Sequence, residues 1–343
     1  MADITIFGAG IFGLSIAYAC ARRGTKVTVI DPHGPGAGSS GGIVGALAPH
    51  VPEKWSGKKA FQFDALIKAA AFWAEVETIA SRPTGYKRTG RLQPIATPSA
   101  LDLAQTRAAN AENLWQGLAE WRIEPAANFG ALAPLSPTGF VIHDTLTARL
   151  HPRMACAALA AAITALGGTI CQTAPAKGKI VHATGAAGLV QISQDLGKPF
   201  GAGEKGQAAL LAYAAPDAPQ IYTDNIHIIP HADGTTAIGS TSERYFDDLG
   251  TDDALDALIA RAQTCLPALH GAPVLERWSG LRPRTHSRAP VVGAHPLYPD
   301  QFIANGGFKI GFAMGPAIGA MMADLLLDEK NTIPPEFNPA TCL

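Results

Sequence analysis

Residues 4–31 leave the chain little freedom in how its fold begins. Ile4-Thr5-Ile6-Phe7 is a short β-branched and aromatic run of the kind that forms a buried strand. Gly8-Ala9-Gly10-Ile11-Phe12-Gly13 follows, then an apolar run to Arg23, then Lys26-Val27-Thr28-Val29-Ile30-Asp31. In such a strand–turn–helix–strand unit, Gly8 permits the tight turn and Gly10 lets a pyrophosphate approach the backbone. Gly13 lets the helix pack closely on the strand. A helix over residues 11–23 would present its unpaired N-terminal N–H groups, those around Ile11 and Phe12, to the phosphates. The second strand ends in Asp31, 18 residues beyond Gly13. A carboxylate there accepts hydrogen bonds from ribose hydroxyls and repels a 2′-phosphate. Three glycines alone are an ordinary turn; the whole unit in register predicts a dinucleotide site. It does not separate NAD from FAD.

The rest of the chain narrows the class. At 343 residues there is room for two modest domains. With 27 basic against 28 acidic residues and no basic run, nucleic-acid binding driven by bulk charge is not expected. Charged residues make up only 16%, which suits a well-buried enzyme better than a disordered scaffold. Cys20, Cys156, Cys171, Cys265 and Cys342 are scattered without ligand-like spacing, so reduced thiols and no metal site are expected. No leader segment is evident before Ile4, and no uninterrupted apolar stretch reaches membrane-spanning length. A soluble, cytoplasmic protein with no membrane partner is the expectation.

The loop 32–42, rich in Gly, Pro and Ser, reads either as a flexible linker or as a second phosphate-side loop that includes Ser39 and Ser40. Its position after the first unit favours the second reading. Residues 43–49 read as a short apolar turn or helix. Apolar residues at helical spacing predict a helix over 58–80, and two Ala-rich helices are expected over 99–110 and 111–121. Runs at 207–213, 221–223, 226–230 and 235–239 alternate with Pro and Asp-Gly turns and predict an antiparallel sheet. The expected organisation is a discontinuous nucleotide-binding domain (1–80, 139–205, 285–343) and a substrate domain (81–138, 206–284). The fold class is α/β: a Rossmann-like domain plus an antiparallel-sheet domain.

The last third of the chain supplies the remaining motifs. Trp278-Ser279-Gly280-Leu281-Arg282-Pro283-Arg284-Thr285, Ala289-Pro290-Val291-Val292-Gly293 and the Gly-rich turn 305–311 before a final helix resemble the D-amino-acid oxidase superfamily of flavoproteins. Within it the glycine oxidases are most similar. The likeness runs nearly end to end, through the small-residue stretch 42–49, Gly90-Arg91-Leu92, His151-Pro152, Ala183-Thr184-Gly185, Lys205-Gly206-Gln207 and Gly239-Ser240-Thr241. The resemblance implies non-covalent FAD in a glutathione-reductase-type Rossmann-like domain. It places the cofactor along Gly8–Gly13, Asp31, Ser39, Ser40, Gly45, Ala46, Leu47, Thr184, Gly185, Gly280, Arg282, Gly306, Gly307, Phe308, Lys309 and Ile310. The turn before the last helix would point N–H groups at the flavin edge that becomes anionic on reduction.

The resemblance also makes Arg282 the grip on a substrate carboxylate, a role that a planar, permanently charged guanidinium suits. The competing reading is a surface or inter-domain salt bridge. His227 stands where glycine oxidases carry a substrate-facing tyrosine, and Lys309 where they carry an arginine. Ser287 replaces a usual aspartate, and the link from Thr173 to Lys179 is shorter than in relatives. These departures put glycine in doubt as substrate but leave oxidation of a small amino acid or secondary amine standing, with O2 or an electron-transfer partner as acceptor. Two alternatives stay open: an amine carried by a macromolecule such as tRNA, and a flavin-binding subunit that needs a partner for turnover. A homo-oligomer is compatible with the sequence.

Overall fold

A computed structural model describes residues 3–343. Its first sheet has the order Val291–Ala294, Gln301–Asn305, Lys179–His182, Ile4–Phe7, Val27–Ile30, Thr169–Cys171. All neighbours are parallel except the first pair, which is antiparallel. The predicted first strand lies inside the sheet with Ile4 and Ile6 buried, as its β-branched run requires. Its carboxyl end, where Gly8 follows, lies beside Ala183 and Thr184 at the end of the neighbouring strand.

Helix Ile11–Arg22 leaves the glycine turn and packs on helix Gly311–Asp328. The two approach through glycines: a Cβ at Gly315 would stand 2.8 Å from Ile11 Cγ1, and one at Gly319 2.5 Å from Ser15 O. Gly311–Asp328 is by length and composition apolar enough to cross a membrane, although Asp324 interrupts its apolar run. Its apolar groups serve the core here, with Met314, Ile318 and Met322 fully buried.

The second sheet has the order Val274–Thr285, Gly201–Leu211, Thr236–Gly239, Ile226–Pro230, Gln220–Thr223, Arg91–Pro94, Phe140–Asp144, Trp121–Pro125. Only the pairing of Gln220–Thr223 with Arg91–Pro94 is parallel. Side chains alternate across a strand. One face, with Ala209, Leu211, Ile226, Ile228 and Ile238, is therefore sealed by Leu255, Leu258 and Ala262 of helix Asp253–Cys265. The other face carries Glu204, Gly206, Ala208, Gly239, His227, Trp278, Gly280 and Arg282 in register.

Several local expectations are revised. Phe140–Asp144 and residues 201–205, the first part of strand Gly201–Leu211, are assigned from sequence to the nucleotide-binding part but pair within the second sheet. The two Ala-rich helices are one, Pro98–Leu114, capped by Thr97, because nothing at Asn110 stops it. The chain then forms strand Trp121–Pro125. The 43–49 segment holds a two-residue strand, Ala46–Leu47, paired with Ala148–Arg149. Beyond Thr184 lies a full helix, Gly185–Leu196, which packs on both long strands of the second sheet.

Candidate active site

The cradle at the end of strand Ile4–Phe7 has no room for side chains. Gly8 has φ +104°, a conformation that L side chains rarely adopt. A Cβ on Gly13 would collide with the carbonyl oxygen of Gly8. Gly10, by contrast, faces only Ser40 Oγ, at 3.2 Å from its Cβ position. Ser40 sits in the 3₁₀ turn Ser39–Gly41 and accepts the Ile11 N–H at 3.0 Å, which ties the second loop to the helix start. Asp31 follows strand Val27–Ile30; its Oδ2 accepts the Ala9 N–H at 2.8 Å and its Oδ1 the His33 N–H at 2.9 Å. It has no cationic partner among the described residues, so both oxygens keep lone pairs for hydroxyl donors. Thr184 and Gly185 open helix Gly185–Leu196 beside Gly8. These residues fit an adenine dinucleotide: glycines where backbone must approach, a helix N-terminus for anionic groups, and an acceptor carboxylate.

A chain of contacts runs from this cradle to Arg282. A Cβ on Gly307 would stand 3.0 Å from the Phe12 ring, so the turn 306–310 rests on the start of the fingerprint helix. The Phe308 N–H donates to Pro283 O at 3.1 Å, and Arg282 Cζ lies 5.6 Å from the centroid of the Phe308 ring. Within the turn, the Gly306 N–H goes to Asn305 Oδ1 and the Ile310 N–H to Gly307 O. The N–H groups of Gly307 and Lys309 have no acceptor among the described residues, so they and the first turn of helix Gly311–Asp328 are the donors left for a cofactor edge. Of the remaining expected contacts, Gly280 pairs with Gly206 beneath the Trp278 ring. Gly45 packs against Leu150 O, and Leu47 is fully buried.

Arg282 is 8% exposed. Its Nη1 donates to Ser240 Oγ at 2.6 Å; its Nη2 donates to Thr241 O at 2.7 Å, Lys205 O at 3.2 Å and Ser242 Oγ at 3.3 Å. The end of the fork is thus held by protein, where an open bidentate grip was expected. The Nε–H is buried with no partner, an orphan that costs free energy until an acceptor satisfies it. Burial lowers the pKa of Arg282, and Glu204 and Glu243 oppose that.

His227 and Lys309 converge on the same site. The His227 imidazole is pulled down to about pKa 3 by burial, then by the charges of Arg91 and Lys309. It is therefore neutral at physiological pH, with Nδ1 unpaired. Its ring lies 4.6 Å from that of Tyr222. Lys309 is an exposed residue whose Nζ stands 5.5 Å from the Phe308 ring centroid. Loss of water and the nearby Arg282 lower its pKa, while Glu204 raises it.

Sequence reasoning missed the clamp Ser240–Ser242, the carboxylate of Glu204 and the pair Arg91–Asp144, whose Nε–Oδ2 distance is 2.8 Å. The Lys205-Gly206-Gln207 and Gly239-Ser240-Thr241 motifs were the available signals for the first two.

A parallel sheet with this cradle, faced by an antiparallel sheet that carries a buried guanidinium, is the architecture of two-lobed dinucleotide-dependent oxidoreductases. The chain belongs to the FAD-dependent oxidoreductase (DAO) family, whose model it matches over residues 3–325. FAD is the cofactor of that family. An uncharacterized oxidoreductase of Bacillus subtilis, YurR, is 27% identical over the whole of both chains. The glycine oxidase of Bacillus licheniformis is 25% identical over 95% of this chain and 93% of its own. The solved structure of iminodiacetate oxidase from Chelativorans sp. BNC1 has the same fold, with TM-score 0.84 at 22% identity and 98% of each chain covered.

Proposed function

We propose that the protein oxidises the C–N bond of a small amino acid or secondary amine, with the substrate carboxylate held at Arg282. The observation that carries this reading is the contact chain Phe12–Gly307–Phe308–Pro283, which joins the cradle to a buried guanidinium with an unspent Nε–H. Gly8–Gly13, Asp31 and the turn before the last helix would hold non-covalent FAD, which would supply a two-electron acceptor for the hydride on the carbon next to nitrogen; the substrate would become an imine that water hydrolyses, with O2 as the final acceptor.

The protein's own residues bind and orient. The clamp on both Nη atoms keeps Arg282 in one orientation, so a carboxylate oxygen on Nε–H meets a fixed donor rather than a mobile arm. Neutral His227 neither repels a substrate amine nor competes for its carboxylate; its unpaired Nδ1 is within the same enclosure. No side chain of the site has to act as a strong base if the amine reacts in its neutral form. The similarity to glycine oxidase and to iminodiacetate oxidase supports an amine bearing a carboxylate as the substrate class.

The test is anaerobic reduction of the purified, FAD-loaded protein by glycine, sarcosine, proline, iminodiacetate and D-amino acids. Bleaching of the flavin band by one or more supports the reading. A protein that binds FAD but is bleached by none of them contradicts it.

A further inference from the structure

Glu204 is 6% exposed and is the carboxylate nearest to Arg282. Three guanidinium groups surround it: Arg282 Nη2 at 4.0 Å from Oε1, Arg284 Nε at 3.6 Å and Arg244 Nε at 3.9 Å from Oε2. The Ser242 hydroxyl, which also receives Arg282 Nη2, donates to Glu204 Oε1. Glu243, the other acid that acts on Arg282, faces Lys205 at 3.5 Å, and Lys205 is shared with Asp252 at 3.2 Å. Arg284 follows Arg282 by two positions on the same strand, so both point from one face of the sheet. The Arg284 side chain is only 22% exposed, and its Nη atoms make no hydrogen bond among the described residues. Lys309 reaches the same enclosure from the turn before the last helix, and no carboxylate lies within 4.0 Å of it among the described residues.

The two ends of the site therefore differ in charge. At the Arg91 end the guanidinium is matched by Asp144, and His227 is neutral. At the Arg282 end one carboxylate faces three guanidinium groups, with an ammonium beside them. Arg244 is largely in solvent, and Glu243 and Asp252 both face Lys205. With Arg282, Arg284 and Lys309 the positive groups here still outnumber the carboxylates by more than one α-carboxylate can offset, which favours a ligand that supplies a second counter-charge.

We infer that the amine substrate carries a second anionic group, an amino dicarboxylate for instance, which Arg284 and Lys309 receive while Arg282 holds the first carboxylate. This rests on the amine-oxidation reading above. It names Arg284 and Lys309 as determinants of specificity.

The test uses two matched pairs on the FAD-loaded protein. Diglycolate and methoxyacetate cannot be oxidised as amines and differ chiefly by one carboxylate; their affinities come from calorimetry. Aspartate and alanine, both enantiomers of each, are compared by the concentration that half-bleaches the flavin anaerobically. Diglycolate should bind at least about tenfold more tightly than methoxyacetate, and aspartate should half-bleach at a correspondingly lower concentration. Arg284→Met and Lys309→Met should each shrink both ratios. Equal or tighter binding of methoxyacetate overturns the inference, as do ratios unchanged in both variants. Tight diglycolate binding with no bleaching by any amine removes the amine-oxidation reading. It leaves an anion site, and the substrate assignment is then wrong.

Discussion

The Arg282 guanidinium lies in the space that Gly206 leaves empty: a Cβ on Gly206 would stand 2.5 Å from Arg282 Cζ. Arg282 pairs across the ladder with Glu204, not with Gly206, so its side chain leans one step along the sheet, over the glycine. That lean brings Nη1 to Ser240 and Nη2 to Thr241 O. The glycine is thus a condition for the orientation of the arginine.

Gly206→Ala should displace the guanidinium while leaving the strand paired. A charge-assisted hydrogen bond is worth about 1.5–3 kcal/mol, so carboxylate ligands should bind roughly ten- to a hundredfold more weakly. Calorimetry with methoxyacetate reads this directly. Unchanged affinity would show that Arg282 does not need the Gly206 space.

Gly13→Val puts a branched side chain into the Gly8 carbonyl and pushes the helix off the strand. The variant should purify with little FAD and recover it only at cofactor concentrations raised by at least about tenfold. Absorbance of the flavin bands, normalised to protein, is the measurement. Full retention of FAD would mean that the dinucleotide does not depend on this turn.

Buried histidines make stability fall in mild acid. His231 is pulled down to about pKa 4 chiefly by burial, as is His295; His227 falls to about 3. Each is neutral when folded, whereas the unfolded chain takes up a proton near pH 6.5. The stabilisation is complete above about pH 6.5 and is lost as pH falls toward 4 for His231 and His295, and toward 3 for His227. Between pH 7 and pH 5, His231→Asn should lose less stability than the parent by about 2 kcal/mol. Denaturant titrations at both pH values give the difference. Parallel losses would contradict a neutral, buried His231.

Gly319→Ala should destabilise by about 1–3 kcal/mol, because its Cβ would press on Ser15 O between the two packed helices. Thermal unfolding of the FAD-loaded protein checks this. An unchanged midpoint would mean that the helices separate freely.

The fingerprint was legible in the sequence because its rules are local: each glycine answers to neighbours a few residues away, and Asp31 follows from strand length. The clamp on Arg282 was not. It depends on the antiparallel register that sets Glu204 opposite Arg282 and on the turn 240–242 arriving from a third strand. No spacing along the chain encodes that meeting. Phe140–Asp144 was placed with the wrong sheet for a related reason. A short strand carries no mark of its partner, and Trp121–Pro125, which pairs with it, was hidden behind an Ala-rich helix. Convergence of His227, Lys309 and Arg282 was foreseen only through resemblance, since they lie on separate elements.

The central claim is that a carboxylate on Arg282 presents the amine to the bound cofactor. Its most direct test is anaerobic bleaching of the flavin by sarcosine against dimethylamine, which lacks the carboxylate, in the parent and in Arg282→Ala. Sarcosine should bleach the parent at concentrations where dimethylamine does not, and the difference should vanish in the variant. Equal bleaching by both amines in the parent, or a difference that survives in Arg282→Ala, would contradict it.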